Sequence, residues 1–185
     1  MDDYYKKIFY LAQVDKSDCP VGKVERWEAH QKGILHRGFT AILIVENKVL
    51  FQKRRHPVFD GYWDISFSSH PIYENDQLQD NKDAILRTLK REWIIKETIK
   101  EEEIKYLEKF YYKAKDEQSG LIEHEIDYLY KLDLNFMPNF NRDYAYEIKA
   151  IDKDLLKDKN SLKKISKEIK LAPWVKIDDY QRLLT

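Results

Sequence analysis

The pattern of apolar and polar positions divides the chain into strand-like and helix-like stretches. Residues 39–55, FTAILIVENKVLFQKRR, hold two apolar, β-branched runs that meet at Asn47-Lys48, which predicts a β-hairpin. Residues 105–115, KYLEKFYYKAK, and 121–134, LIEHEIDYLYKLDL, flank the turn-like DEQSG and predict a second hairpin. YKKIFYLAQV (5–14), GYWDISFSSH (61–70) and AYEIKAI (145–151) read as further strands. The helical period is clearest in residues 80–102, where Ile85, Leu89 and Trp93 recur at i, i+4 and i+8 beside Leu86, behind Asp80 or Asn81 as N-cap. KVERWEAH (23–30) predicts a short helix, the Lys-rich residues 152–170 another, and residues 173–184 a terminal helix opened by Pro173. No internal repeat and no long linker interrupts the chain. The fold class that follows is α/β, in the α+β sense: one domain over 1–185, a mixed β-sheet, one long helix behind it and further C-terminal helices.

Composition narrows the function classes. Among 185 residues, 33 are acidic and 33 basic, so no excess charge draws the chain to nucleic acid. The longest apolar run, AILIV, is five residues, far short of a membrane span, and MDDYYKK lacks the apolar centre of a signal peptide. The lone Cys19 forbids an internal disulfide framework and points to a reducing compartment. A soluble, cytoplasmic protein with no membrane or nucleic-acid partner is expected.

Two kinds of side chain stand out as candidate chemistry. Four of the five histidines, His30, His36, His56 and His70, lie in the first 70 residues. His30 and His36 flank QKGIL, a turn containing Gly33 that can aim two imidazoles at one point. In EHE, strand alternation puts Glu123 and Glu125 on one face and His124 on the other. Paired carboxylates repel unless a cation or a shared proton intervenes, and three His with two Glu suit a divalent metal with mixed N and O ligands. Each element alone has an ordinary explanation, a loop histidine or a solvated strand face, and spacing alone does not bring the three segments together. The arginines form the second theme. Arg26, Arg54 and the i, i+4 pair Arg87 and Arg91 carry forks suited to phosphate oxygens, although most of the basic residues are ordinary surface charge.

The joint occurrence of EAHQKGILHRGFTAILI, NKVLFQKRR, GYWDISFSSHP, AILRTLKREW, SGLIEHEIDYLY and LAPWVK resembles type I isopentenyl-diphosphate isomerase, a branch of the Nudix superfamily, from about residue 4 to the end. The resemblance implies a Mn²⁺ or Mg²⁺ site, sometimes assigned to Zn²⁺, at His30, His36, His70, Glu123 and Glu125. It implies a Mg²⁺ at Glu92 that bridges to a small-molecule diphosphate substrate. It implies basic contacts to that diphosphate from Arg26, Arg54 and Arg87, the first more often Lys in relatives. It places Tyr112 near the reacting double bond and Trp174 against the allylic part, where an indole face steadies a carbocation. The implied reaction moves the double bond between isopentenyl and dimethylallyl diphosphate by protonation and deprotonation from two sides.

Two departures qualify what the resemblance implies. The family's catalytic cysteine, two residues before the third metal histidine, is here Ser68. A hydroxyl is a much weaker acid than a thiol, although its lone pairs can relay a proton, so reduced or altered activity is expected. Cys19 lies before the first metal histidine and does not substitute. The second departure is REWIIKETI at 91–99, which keeps Arg91 and Glu92 of the Nudix box but carries Ile95 and Lys96 in place of its paired glutamates and Thr98 in place of its glycine. That counts against the runner-up reading, a Nudix-type hydrolase of an isoprenoid or other small diphosphate. A catalytically inactive diphosphate-binding homologue is the third reading.

Overall fold

The computed structural model describes residues 3–175, so all but the first three residues of the helix expected over 173–184 lie outside the described residues. A 3₁₀ turn (Asp3–Lys6) leads into strands β1 (Tyr10–Val14) and β2 (Pro20–Glu25), helix α1 (Arg26–Lys32), and strands β3 (His36–Val45) and β4 (Lys48–Arg54). Four short strands follow: β5 (Trp63–Asp64), β6 (Phe67–Ser69), β7 (Tyr73–Glu74) and β8 (Gln77–Leu78). Then come helix α2 (Asn81–Glu92), strands β9 (Lys105–Lys115), β10 (Ile122–Leu134) and β11 (Ala145–Asp152), and helices α3 (Lys153–Lys157) and α4 (Lys159–Glu168).

β3 is the hub of a mixed sheet. Along one edge it pairs in parallel with β10, from Glu125↔His36 to Leu134↔Val45. Along the other edge it pairs antiparallel in turn with β1 at His36, β6 at Phe39–Ala41 and β4 at Ile44–Val45. Alternation along β3 splits the apolar side chains between two cores. Phe39, Ala41, Leu43 and Val45 pack with Ile85 and Leu89 of α2 and with Trp93 just past its end, while Ile42 and Ile44 pack with Tyr112, Leu129 and Trp174 on the opposite face. Polar residues that share the second face are therefore carried into the interior.

The structure departs from the sequence pattern in six places. The β3–β4 turn is Glu46-Asn47, both at positive φ, one residue earlier than the apolar runs suggest. The stretch 61–70 is not one strand. It passes between the splayed β3 and β4, with β5 on β4 and β6 on β3, and Ser66 (φ 66°) bridges the gap. The Ser66 hydroxyl donates to Leu50 O at 2.7 Å and accepts from Leu43 N–H at 2.8 Å, replacing a sheet rung. The long helix stops at Glu92 instead of running to 102. Ile95 joins the core that holds Trp93, yet two further helical residues would carry it about 200° round the axis, so the chain turns at Ile94 (φ 48°). Asn141 caps the exposed end, its Nδ2 donating to Arg91 O and its N–H to Glu92 O. Helix α1 begins three residues after Lys23, because Pro20–Glu25 pairs with β1, and the first strand begins at Tyr10 because Asp3–Lys6 is a 3₁₀ turn. The Lys-rich stretch breaks at Asp158, whose carboxylate accepts the Ser161 N–H and starts a second helix.

Candidate active site

The parallel register of β3 and β10 sets His36 beside Glu125 and Gly38 beside Asp127 on one sheet face. Glu123 shares that face by alternation. His124 points the other way, donating from Nδ1 to Gly33 O at 2.8 Å and pairing with Tyr111 through Nε2, as the alternation of EHE predicts. Gly33 (φ 63°) ends α1 in the left-handed region that glycine tolerates. The tight turn folds α1 back and brings His30 to the same place. His70 arrives at the end of β6.

His30, His36, His70, Glu123 and Glu125 each offer one ligand atom, and these atoms all lie within 4.8 Å of one another. This is a cluster that could hold a metal ion. The imidazoles are oriented for it. His30 Nδ1 donates to Arg26 O at 2.6 Å and His36 Nδ1 to Ile34 O at 2.7 Å, which leaves each Nε2 lone pair facing the cluster. Glu125 Oε1 is 2.7 Å from His70 Nε2 and 3.4 Å from His36 Nε2, and His30 Nε2 is 3.1 Å from Glu123 Oε2. The buried Glu123 Oε2 has no hydrogen-bond donor. Lone pairs of buried imidazoles and carboxylates that converge on one point repel unless positive charge lies among them, so the donor set fits a divalent cation. The proton affinities carry the same signature. Burial pulls the His30 imidazole down, but the Glu123 carboxylate outweighs it and the net shift is upward. Burial pushes Glu125 up, and the imidazoles of His70 and His36 overturn that, holding it well below the usual carboxylate range. At His70 burial prevails over Glu125 and the net shift is downward.

Beside the cluster lies a cavity with an aromatic wall. Tyr112 donates its hydroxyl to Glu125 Oε2 at 2.8 Å, and burial together with the charge of Glu125 keeps it a neutral phenol, far above the usual tyrosine range. Trp174 packs 5.7 Å from the Tyr112 ring and 5.3 Å from Phe59. Its indole N–H donates to Asp64 Oδ1 at 2.9 Å. Ser68 lines the same cavity and registers with Thr40 of β3, its Oγ 2.9 Å from Thr40 Oγ1.

The basic residues are placed unequally. Arg54 lines the cavity but is ion-paired with Asp64 at 2.8 Å, with its guanidinium 4.9 Å from the Trp174 ring centroid. Arg26 also lines it, yet its Nη2 donates to three carbonyls, those of Tyr4, Tyr5 and Lys7, and so straps the N-terminal turn over the cavity. Arg87 is not among the lining residues; it donates to His70 O and Glu74, bracing the histidine's backbone. Arg91 is there instead, 2.7 Å from Glu92 and stacked 3.9 Å from the Tyr4 ring. Glu92 is buried at the cavity wall but is not one of the five clustered donors; Gln52 Nε2 donates to it at 3.3 Å. Residues that the resemblance does not assign to the site also meet here. His56 hydrogen-bonds Tyr5 OH through Nδ1, and its buried Nε2 has no hydrogen-bond partner. Tyr4, Tyr5 and Trp27 complete the mouth. Only the excess of aromatics near the N-terminus hints at them.

No family model matches the chain. In fold it is similar to a Deinococcus radiodurans protein of known structure (TM-score 0.58, 16% identity, 95% of this chain and 96% of that one). It is also similar to the Nudix domain of Shewanella oneidensis NrtR, solved with ADP-ribose (TM-score 0.51, 16% identity, 82% and 88%). In sequence it is 37% identical to isopentenyl-diphosphate Δ-isomerase 1 of Mesocricetus auratus over 89% of this chain and 78% of that protein. The mouse isomerase 1 is 36% identical over 93% and 83%, and the chloroplastic isomerase II of Arabidopsis thaliana 31% over 96% and 69%. On these relatives and this fold, the chain belongs to the isopentenyl-diphosphate Δ-isomerase family.

Proposed function

We propose that the protein interconverts isopentenyl diphosphate and dimethylallyl diphosphate. The observation that carries this reading is the meeting, at one cavity, of four members of a five-residue His/Glu cluster that could hold a metal ion, a phenol–carboxylate pair, an aromatic wall and a basic end. His30, His36, His70, Glu123 and Glu125 would hold a Mn²⁺ or Zn²⁺ ion, and Glu92 would hold a Mg²⁺ ion at the diphosphate end. Bound there, a divalent cation supplies charge that offsets the carboxylates and sharpens the acidity of a neighbouring donor.

The chain's own groups do the rest. Arg26, Arg54, Arg87 and Arg91 make up the basic end, with Arg87 acting through the His70 backbone. The Tyr112–Glu125 pair holds a proton at the wall and delivers it to the terminal alkene carbon, leaving a tertiary carbocation. The faces of Trp174 and Tyr112 stabilise that cation, an interaction worth roughly 2 kcal/mol in a desolvated site. Removal of a proton from the adjacent carbon completes the shift, with Ser68 at the position of the family's cysteine. The serine makes turnover slow. The chain acts as one domain in the cytoplasm, which its single thiol supports.

The test is incubation of metal-loaded protein with isopentenyl diphosphate. Dimethylallyl diphosphate is the expected product. Release of phosphate or pyrophosphate would transfer the chain to the hydrolase reading, against which the Ile94 turn and buried Ile95 already weigh. Tight binding of the substrate without turnover would make it a binding homologue.

A further inference from the structure

Ser68 has one hydrogen and two lone pairs, and its neighbours determine which of them the cavity meets. Its hydroxyl donates to Asp64 Oδ1 at 3.2 Å and lies 2.9 Å from Thr40 Oγ1. Thr40 gives its own hydrogen to Asp127 at 2.7 Å, so toward Ser68 it too is an acceptor. Asp64 and Thr40 are fully buried and neither lines the cavity, whereas Ser68 does. The hydrogen of Ser68 is therefore turned inward and a lone pair faces the substrate space. Presented this way, the serine accepts a proton more readily than it gives one.

Asp64 is held in place for this role. Oδ1 also accepts the Trp174 indole N–H at 2.9 Å, and Oδ2 is ion-paired with Arg54 at 2.8 Å. These contacts fix the carboxylate against rotation while leaving Oδ1 directed at Ser68. We propose that Asp64 is a positioning residue that receives the Ser68 proton, so that a serine–aspartate pair takes the place of the family's thiol. The inference rests on the isomerase reading. In the step that completes the new double bond, the C–H bond beside the cationic carbon breaks and its electron pair closes the C=C. The proton passes to Ser68 Oγ, and the original Ser68 hydrogen passes to Asp64 Oδ1. The proton on Asp64 then returns through Ser68 to water in the cavity, which restores the carboxylate, and water resupplies the proton that the Tyr112–Glu125 pair gave up, so no oxidant, reductant or co-reactant is needed.

Asp64 also anchors Arg54 and Trp174, so loss of activity in one variant would not separate the two roles. The discriminating experiment is a cycle between Asp64→Asn and Ser68→Cys, with kcat and KM for isopentenyl diphosphate and melting temperature measured for all four proteins. The expected result is a kcat loss of roughly 100-fold for D64N when Ser68 is present, within the range of general acid–base effects. In the Ser68→Cys background the loss should be no more than about threefold, because the thiolate carries the proton itself. Asp64→Glu, which keeps the carboxylate, should recover part of the loss beside Ser68. Equal losses in the two backgrounds would overturn the proposal and leave Asp64 as an anchor alone. If D64N does not fold, D64E and Asp64→Ser are compared across the same two backgrounds. Wild-type protein that neither converts the substrate nor exchanges its allylic hydrogens with deuterated solvent would overturn the isomerase reading and the relay together. Turnover with equal losses overturns the relay only.

Discussion

The Glu125 carboxylate lies across Gly38: a Cβ added at position 38 would fall on it. The two residues sit on neighbouring parallel strands, and the missing side chain is the space through which Glu125 reaches His36 and His70. Gly38→Ala should therefore push the carboxylate off the cluster. The expected outcome is a loss of Mn²⁺ affinity of at least about 10-fold by titration calorimetry and destabilisation of about 1–3 kcal/mol from overpacking. Unchanged affinity would mean that Glu125 is not a ligand.

A divalent cation bound in the His/Glu cluster should relieve the repulsion among its donors, and removing it should restore that repulsion. Chelation is expected to lower the melting temperature. A ligand at about 100 times its dissociation constant stabilises by about 2.7 kcal/mol, or roughly 5–10 °C for a domain of this size. His70→Ala should abolish the chelator effect and lower the metal content measured by elemental analysis.

His56 supplies a pH dependence of stability. Burial, and then the charges of Arg54 and Arg91, hold its imidazole well below the ordinary value, so it stays neutral in the folded chain. As pH falls through about 6.5 the unfolded chain takes up a proton that the folded chain refuses. Stability must then fall with pH, by up to about 1.4 kcal/mol per unit from this group. Denaturant melts of the metal-free protein between about pH 7 and 5 should show this slope, reduced by that amount in His56→Asn.

Ser66 is a structural counterpart to these groups. Its hydroxyl carries both hydrogen bonds that hold the gap between β3 and β4, next to the strand that presents Ser68 and His70. Ser66→Ala leaves a buried N–H and a buried carbonyl without partners, and a loss of roughly 1–3 kcal/mol is expected in denaturant melts.

The fold is legible in the sequence wherever an apolar period runs for several turns or rungs. Both long hairpins and the start of α2 behind its N-cap Asp80 are of that kind. Strands two residues long, such as β5 and the Tyr73–Leu78 hairpin, are too short to carry a period. The end of α2 is not legible, because Ile94 and Ile95 extend the apolar pattern past the point where the chain turns. In the site, the cluster of three His and two Glu follows from motifs of mixed His and Glu once a resemblance brings distant segments together. The surrounding layer does not. Asp64 and Thr40 are single polar residues among apolar neighbours, and only the register of β3 with β6 and the path of 61–70 show what they touch; His56 follows Arg54 and Arg55, and nothing in the sequence ties it to Tyr5.

Proton NMR of the purified, metal-loaded protein with isopentenyl diphosphate, Mg²⁺ and Mn²⁺ in deuterated water follows the proposed double-bond shift itself. Dimethylallyl diphosphate carrying solvent deuterium in its methyl group should appear slowly, and faster in Ser68→Cys. Unchanged, unlabelled substrate from a folded, metal-loaded protein, with no gain in the Ser68→Cys variant, would rule out isomerisation as the function.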